Sequence, residues 1–234
     1  MSVTGSPAAW IELLERMLPE ILRLIVDTWQ VLPRPFADDR EDAITEILCR
    51  ALRENRAVRE LPFYVQIQMV ELDPAPGLEL GRLDIAFLPT GLPGAPSEAV
   101  YLCLECKRLN VVRNGQRRPG GSEYVVHGML RFVSGQYARA VRHGSMLGYV
   151  LDGNVPAAIG NVETNVRSQH VALCMDAPGT LHPSSILTDL AAARESLHRR
   201  VHGPTPFRIH HLFMDAGGVH GQRVKTTGWC GLIA

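Results

Sequence analysis

Two short apolar runs decide how this chain is read: Gly81-Arg82-Leu83-Asp84-Ile85-Ala86-Phe87-Leu88 and Ala99-Val100-Tyr101-Leu102-Cys103-Leu104-Glu105-Cys106-Lys107-Arg108-Leu109. Both have the length and composition of β-strands, and each carries charge inside its apolar stretch. Buried acids and a buried lysine are costly unless they bind a metal, one another or a charged ligand. Strand alternation puts Glu105 and Lys107 on one side and Cys106 on the other. Asp84 and Glu105 thus offer hard oxygen ligands and Lys107 a point charge, a set suited to a divalent cation and a phosphate group.

Working outward, Phe63–Leu72 reads as a third strand, ahead of the runs at Leu80–Leu88 and Val100–Leu109. Asp73-Pro-Ala-Pro-Gly and Leu92-Pro-Gly-Ala-Pro-Ser separate the three as turns, so the strands are expected to be antiparallel. Upstream, a helix is predicted over about Asp38 to Asn55, with Asp38 or Asp39 as N-cap. Ile44, Leu48, Ala51 and Leu52 mark its buried stripe, and Glu41 and Thr45 fall on the same face. A still earlier helix is predicted over Ala8 to Gln30, with Trp10, Leu14, Leu18, Ile21 and Ile25 at helical spacing and Pro19 expected to interrupt or kink it. That arm is too apolar for a solvated tail and packs either on the domain or on a partner subunit.

Downstream, Asn110 to Glu123 reads as an irregular, flexible polar loop with Arg113, Arg117, Arg118 and glycines at 115, 120 and 121. Helices are predicted over about Val126–Arg142, Pro156–Ser168 and Ser184–Arg200. Strands are predicted over Met146–Leu151, His170–Met175 and Phe207–Asp215. The α-βββ-α-β-α-β order describes an α/β fold with a mixed sheet sandwiched by helices. Residues 1–35 would form the N-terminal helical arm and 36–234 one domain, with a core over about 38–151 and a C-terminal elaboration over 152–234.

The 234 residues suffice for one substantial core, and 24 basic against 24 acidic side chains argue against binding nucleic acid by bulk charge alone. Five scattered cysteines, no secretory pattern and no apolar run of membrane-spanning length point to a reduced, cytoplasmic protein. Cys103-x-x-Cys106 has redox or zinc spacing, but an extended strand turns the two thiols to opposite faces. The same alternation splits His210 from His211, and His220 nearby completes no ligand set. Gly217-Gly218 and Gly221 read as turns.

Asp84, the Glu105-Cys106-Lys107 triplet and the preceding acid-bearing helix together resemble the PD-(D/E)XK nuclease superfamily, the restriction-endonuclease-like fold. Its signature is an acid at the end of one strand and an acid-any-lysine triplet on the next. Leu83 stands where the naming proline would be. The resemblance covers roughly Asp38 to Leu151 and implies a Mg²⁺-dependent deoxyribonuclease that hydrolyses phosphodiester bonds, with Mn²⁺ as a substitute, in defence against foreign DNA or in DNA repair. It implies Asp84, Glu105 and the Cys106 backbone carbonyl as metal ligands and Glu41 as a metal partner through water, with Asp42 and Glu46 as fallbacks. Lys107 would orient the attacking water and offset charge on the phosphorane, and Gln136, on the helix after the catalytic strand, would hydrogen-bond a phosphate or the water. Arg113, Arg117, Arg118 and Arg131 would contact nucleic acid, DNA or RNA. A second copy of the chain or a defence-system protein is the expected protein partner. The rivals are a non-cleaving binding subunit with a nuclease fold and a ligand-activated RNase or DNase effector.

Overall fold

The computed structural model describes residues 6–72, 79–90, 100–113 and 115–217. Helices α1 (Pro7–Val31), α2 (Glu41–Glu54) and α3 (Arg56–Glu60) lead into strands β1 (Phe63–Leu72), β2 (Glu79–Pro89) and β3 (Leu102–Leu109). A small hairpin follows, β4 (Val111–Arg113) and β5 (Gln116–Arg118). Next comes a helical segment made of α4 (Gly121–Tyr124), a π turn (Val125–Met129) and α5 (Leu130–Val133). Strand β6 (His143–Val150), helix α6 (Val155–Ser168) and strands β7 (His182–Pro183), β8 (Ala193–His198) and β9 (Phe207–Asp215) complete the described chain.

Seven strands form one mixed sheet in the order β1-β2-β3-β6-β9-β8-β7. The β1-β2-β3 meander is antiparallel, as its short connections predict. β6, reached through the helical 121–133 segment, runs parallel to β3, and β9 runs parallel to β6. β8 and β7 return antiparallel at the far edge. The chain is therefore a mixed α/β protein with helices packed on the sheet.

α1 is one continuous 25-residue helix through Pro19, opened by the Ser6 hydroxyl, which accepts from the Ala9 N–H. Pro19 does not interrupt it. Trp10, Leu14, Leu18, Ile21, Leu22 and Ile25 are buried in the domain core, so the apolar stripe has its cover within this chain. Trp29 stacks on Tyr149 of β6 with ring centroids 5.2 Å apart. α2 packs beside α1 on the face of the sheet that Cys106 and Tyr149 present, whereas the 121–133 segment covers the face of Glu105 and α6 packs alongside it.

Several sequence expectations are corrected. Arg40, not Asp38 or Asp39, is the N-cap of α2, because the Asp39 carboxylate accepts the Phe36 N–H in a preceding turn. The Asn110–Glu123 loop is an ordered hairpin plus the first turn of α4. The helix expected to reach Arg142 ends at Val133, where Gly135, at a φ of 75°, supplies the left-handed residue that stops it. Residues 170–174 are consecutive turns rather than a strand, with the Leu173 and Cys174 N–H groups donating to the Gln169 and Val171 carbonyls. The helix expected over Ser184–Arg200 is replaced by turns and strand β8, because pairing with β9 overrides the alanine-rich helical propensity of the segment. The expected turns at 73–77 and 92–97, and Gly218, His220, Gly221 and Cys230, lie outside the described residues.

Candidate active site

β2 and β3 pair from Phe87–Leu102 to Ile85–Leu104. One residue further the strands carry Asp84 and Glu105. There the Asp84 Oδ2 accepts the Cys106 N–H at 2.7 Å, a side chain taking up a backbone donor of β3. Across β1, Gln68 stands opposite Asp84, between the pairs Ile67–Ile85 and Met69–Leu83, at a φ of 49°. Residues with side chains visit that region uncommonly. Asp84 therefore occupies an irregularity of the sheet.

Glu105 is fully buried. Its Oε1 accepts from the Lys107 Nζ at 2.8 Å and from the Arg131 Nη1 at 2.9 Å, whereas its Oε2 has no hydrogen-bond partner among the described residues. The π turn lies close above it: a Cβ at Gly128 would lie 2.3 Å from the Met146 Cε and 3.7 Å from the Glu105 Cγ. Lys107 has three acceptors: the Cys106 carbonyl at 2.7 Å, Glu105 and the Glu41 Oε1 at 3.2 Å. Glu41, in the first turn of α2, accepts the Arg108 N–H at 2.9 Å through its other oxygen, and the Arg108 Nη1 donates to the Asp39 carbonyl. α2 is thus clamped to the end of β3. On the opposite face of β3, the Tyr149 hydroxyl donates to the Cys106 Sγ and hydrogen-bonds the Thr45 hydroxyl. These contacts fix the strand from behind.

The electrostatics follow from burial. Desolvation, with Asp84 alongside, pushes the Glu105 carboxyl up to about 7 against the pull of Lys107 and Arg131. Desolvation also raises Asp84, opposed by Lys107 and the Cys106 N–H. Burial alone would lower the Lys107 ammonium, but Glu105, Glu41 and Asp84 outweigh it and hold the lysine above its ordinary value. Burial likewise raises the Tyr137 phenol.

The residues fit a divalent cation. The orphaned Glu105 Oε2 is a buried acceptor awaiting a positive partner, Asp84 lies across the strand gap, and added positive charge would relieve the strain that raises both carboxyls. No group of three His, Cys, Asp or Glu side chains that could close on a metal occurs among the described residues. Magnesium retains several waters and is held through one or two carboxylates, so two acids and a carbonyl suffice.

The structure brings Asp84, Glu105, Lys107, Glu41 and the Cys106 backbone together. Asp42 and Glu46 point elsewhere, into exposed pairs with Arg40 and Arg50. Lys107 and Glu41 also line an open cleft of about 580 Å³ whose rim carries Arg117 and Arg118. Arg118 is exposed, and Arg117 pairs with Asp152 at 3.2 Å. Arg113 belongs to β4, and its side chain lies outside the described residues. Gln136 is not on a helix but in the turn beyond α5, where its amide lies against Gly81, whose added Cβ would come within 2.6 Å. Arg131, expected at phosphate, instead bonds Glu105 and the Tyr137 hydroxyl at 2.9 Å, and that hydroxyl donates to the Arg82 carbonyl at 2.8 Å.

Helical spacing from the catalytic strand sets Arg131 and Tyr137 near the site, but the hydrogen-bonded Arg131–Tyr137–Arg82 strap was not legible, because Tyr137 turns back to Arg82 only after Gly135 ends the helix. His210 and His211 are split by strand alternation as expected: one bonds His143 and the other Tyr124 and Ser196. Cys103 and Cys106 are buried thiols. No helix among the described residues is long and apolar enough to cross a membrane. No family model, curated protein or solved structure matches this chain.

Proposed function

We propose that the chain is a divalent-metal-dependent nuclease of the PD-(D/E)XK type, with DNA as substrate. The observation that carries the reading is Glu105: a fully buried carboxylate with one oxygen unpartnered among the described residues, beside a second, partly buried acid and a lysine held charged. Such a group is costly to the fold, and a cation-binding task accounts for it. Further support comes from the β1-β2-β3 meander joined by a helical crossover to parallel β6, which is the core order the resemblance implies. The acid of the preceding helix also meets the lysine, at 3.2 Å.

Asp84, Glu105 and the Cys106 carbonyl would hold the ion, which supplies Lewis-acid polarisation of a phosphodiester and lowers the pKa of an attacking water. The remaining work belongs to the chain. Lys107 stays protonated and presents its charge where negative charge grows on the phosphate. Glu41 fixes that ammonium and, through the Arg108 N–H, the end of β3. Arg117 and Arg118, which line the neighbouring cleft, would contact backbone phosphates.

The test is cleavage of supercoiled plasmid, single-stranded DNA and RNA in Mg²⁺ or Mn²⁺ by wild type, Lys107→Ala and Asp84→Asn. Metal-dependent cutting by wild type, lost in both variants, is the expected result. Equal inactivity of all three on every substrate overturns the reading, and cutting of RNA alone reassigns the substrate.

A further inference from the structure

Glu105 Oε1 is shared by two cations of different standing. Lys107 is mostly buried and held by three acceptors. Arg131 has 35% of its side chain exposed, and it hydrogen-bonds Glu105 and Tyr137. Its guanidinium also faces the Tyr137 ring, 5.6 Å from the centroid. Tyr137 is fixed in turn by the Arg82 carbonyl. The loop that carries it is gathered by Arg200, a buried guanidinium that donates to the Ala138 and Val141 carbonyls. Arg131 and Gln136 border an open cleft of about 530 Å³, so an incoming anion can reach the guanidinium without unfolding anything.

Resting on the nuclease reading above, we propose that Arg131, anchored by Tyr137, is a built-in counter-ion that holds Glu105 and keeps divalent-metal affinity low until a substrate phosphodiester takes the guanidinium. Arg131 bonds Oε1 and leaves Oε2 open, so it opposes the cation by offsetting the carboxylate's charge, and removing it must raise affinity for the metal. Arginine forks match phosphate oxygens at least as well as a single carboxylate oxygen, so the phosphate has the chemistry to draw Arg131 off. By linkage, whatever releases Arg131 tightens metal binding, and metal in turn favours the phosphate-bound state. Metal and substrate would therefore load together, and the free protein would stay largely metal-poor.

The test is Mn²⁺ titration of the full chain by calorimetry at low ionic strength, with no nucleic acid, in wild type, Arg131→Gln, Tyr137→Phe and Glu105→Gln. Arg131→Gln and Tyr137→Phe are expected to bind Mn²⁺ roughly 10- to 100-fold more tightly than wild type, the worth of one charge-assisted hydrogen bond, and Glu105→Gln to lose binding. Tyr137→Phe keeps every formal charge, so its gain separates a released anchor from a change in the general field. Dimethyl phosphate, a bare phosphodiester anion, is expected to raise wild-type affinity by a larger factor than that of Arg131→Gln. Unchanged or weaker binding in Arg131→Gln and Tyr137→Phe, with Glu105→Gln still losing it, overturns the counter-ion and leaves the metal site standing. Equal gains from dimethyl phosphate in wild type and Arg131→Gln overturn the release step. Binding absent from all four proteins, or untouched by Glu105→Gln, overturns the metal site itself.

Discussion

Glu105→Gln is expected to stabilise the metal-free protein at alkaline pH while removing its function. The wild-type carboxyl titrates at about 7 in the fold, against 4.5 for an ordinary glutamate. A folded value above the unfolded one means that the neutral form favours folding. That contribution is complete below pH 4.5, declines as pH rises through the window up to about 7, and is gone above it. A gap of about 2.5 pH units at 1.36 kcal/mol each corresponds to ~3 kcal/mol of stability lost by wild type across the window. Glutamine keeps the neutral shape at every pH, with Lys107, Glu41 and Arg131 still in place. The stability difference between variant and wild type should therefore grow in the variant's favour by about 2.5 kcal/mol between pH 5 and pH 8. Urea unfolding in EDTA, followed by the fluorescence of the buried Trp10 and Trp29, measures it, and comparing proteins at each pH cancels the other titrating groups. A difference that stays constant within about 0.5 kcal/mol refutes the reasoning, because Glu105 would then be as well solvated in the fold as in the unfolded chain.

Buried histidines set the opposite limit. Burial lowers His198 to about 4 and His210 to about 3, so their contribution is present above pH 6.5 and lost as pH falls toward those values, at roughly 3 kcal/mol or more for each. Thermal unfolding at pH 7, 5.5 and 4.5 should show a steep decline, and a flat profile would refute it. The tautomers are fixed as well. The Leu173 carbonyl can only accept, so His198 carries its proton on Nδ1, Ser196 donates to the His198 Nε2, and His211 carries its proton on Nε2 with Nδ1 facing the Tyr124 hydroxyl. Ring ¹⁵N shifts at pH 7.5 that reverse either assignment would disprove the network. Arg200→Met strands the Ala138 and Val141 carbonyls that the guanidinium serves and should cost about 3 kcal/mol in urea unfolding. Ile25→Ala, in the core stripe of α1, should cost about 3 kcal/mol with an undiminished m-value; no change would show that α1 is dispensable to the domain.

What was legible in the chain was what local pattern encodes. The three strands of the meander, α6 and β9 follow from alternation, length and turn residues, and their boundaries agree with expectation to within two residues. Segments whose form depends on distant partners were not legible. Residues 184–200 carry apolar spacing suited to a helix, yet Glu195, Ser196 and His198 are strand residues because Arg208, His211 and the Leu173 carbonyl wait for them. Gly135 gives no sign within a helical pattern that its left-handed conformation will stop the helix and swing Tyr137 back to Arg82.

The site divides along the same line. Glu105 and Lys107 could be placed on one face by alternation, and Glu41 on an inward stripe by helical spacing, because both periods are properties of the backbone. The state of Glu105 could not be read, since it depends on residues far apart in sequence. The helical segment at Gly128 closes over it, Arg131 takes one oxygen, and no described residue takes the other. A buried carboxylate with two cations on one oxygen and none on the second is a poor way to stabilise a fold, because the desolvation of the free oxygen is uncompensated. The surrounding contacts nonetheless hold it in that state: Glu41 braces Lys107, Tyr137 braces Arg131, and Tyr149 braces the strand from behind. Three braces around one unsatisfied oxygen are what a site needs when the missing partner is to arrive from solution.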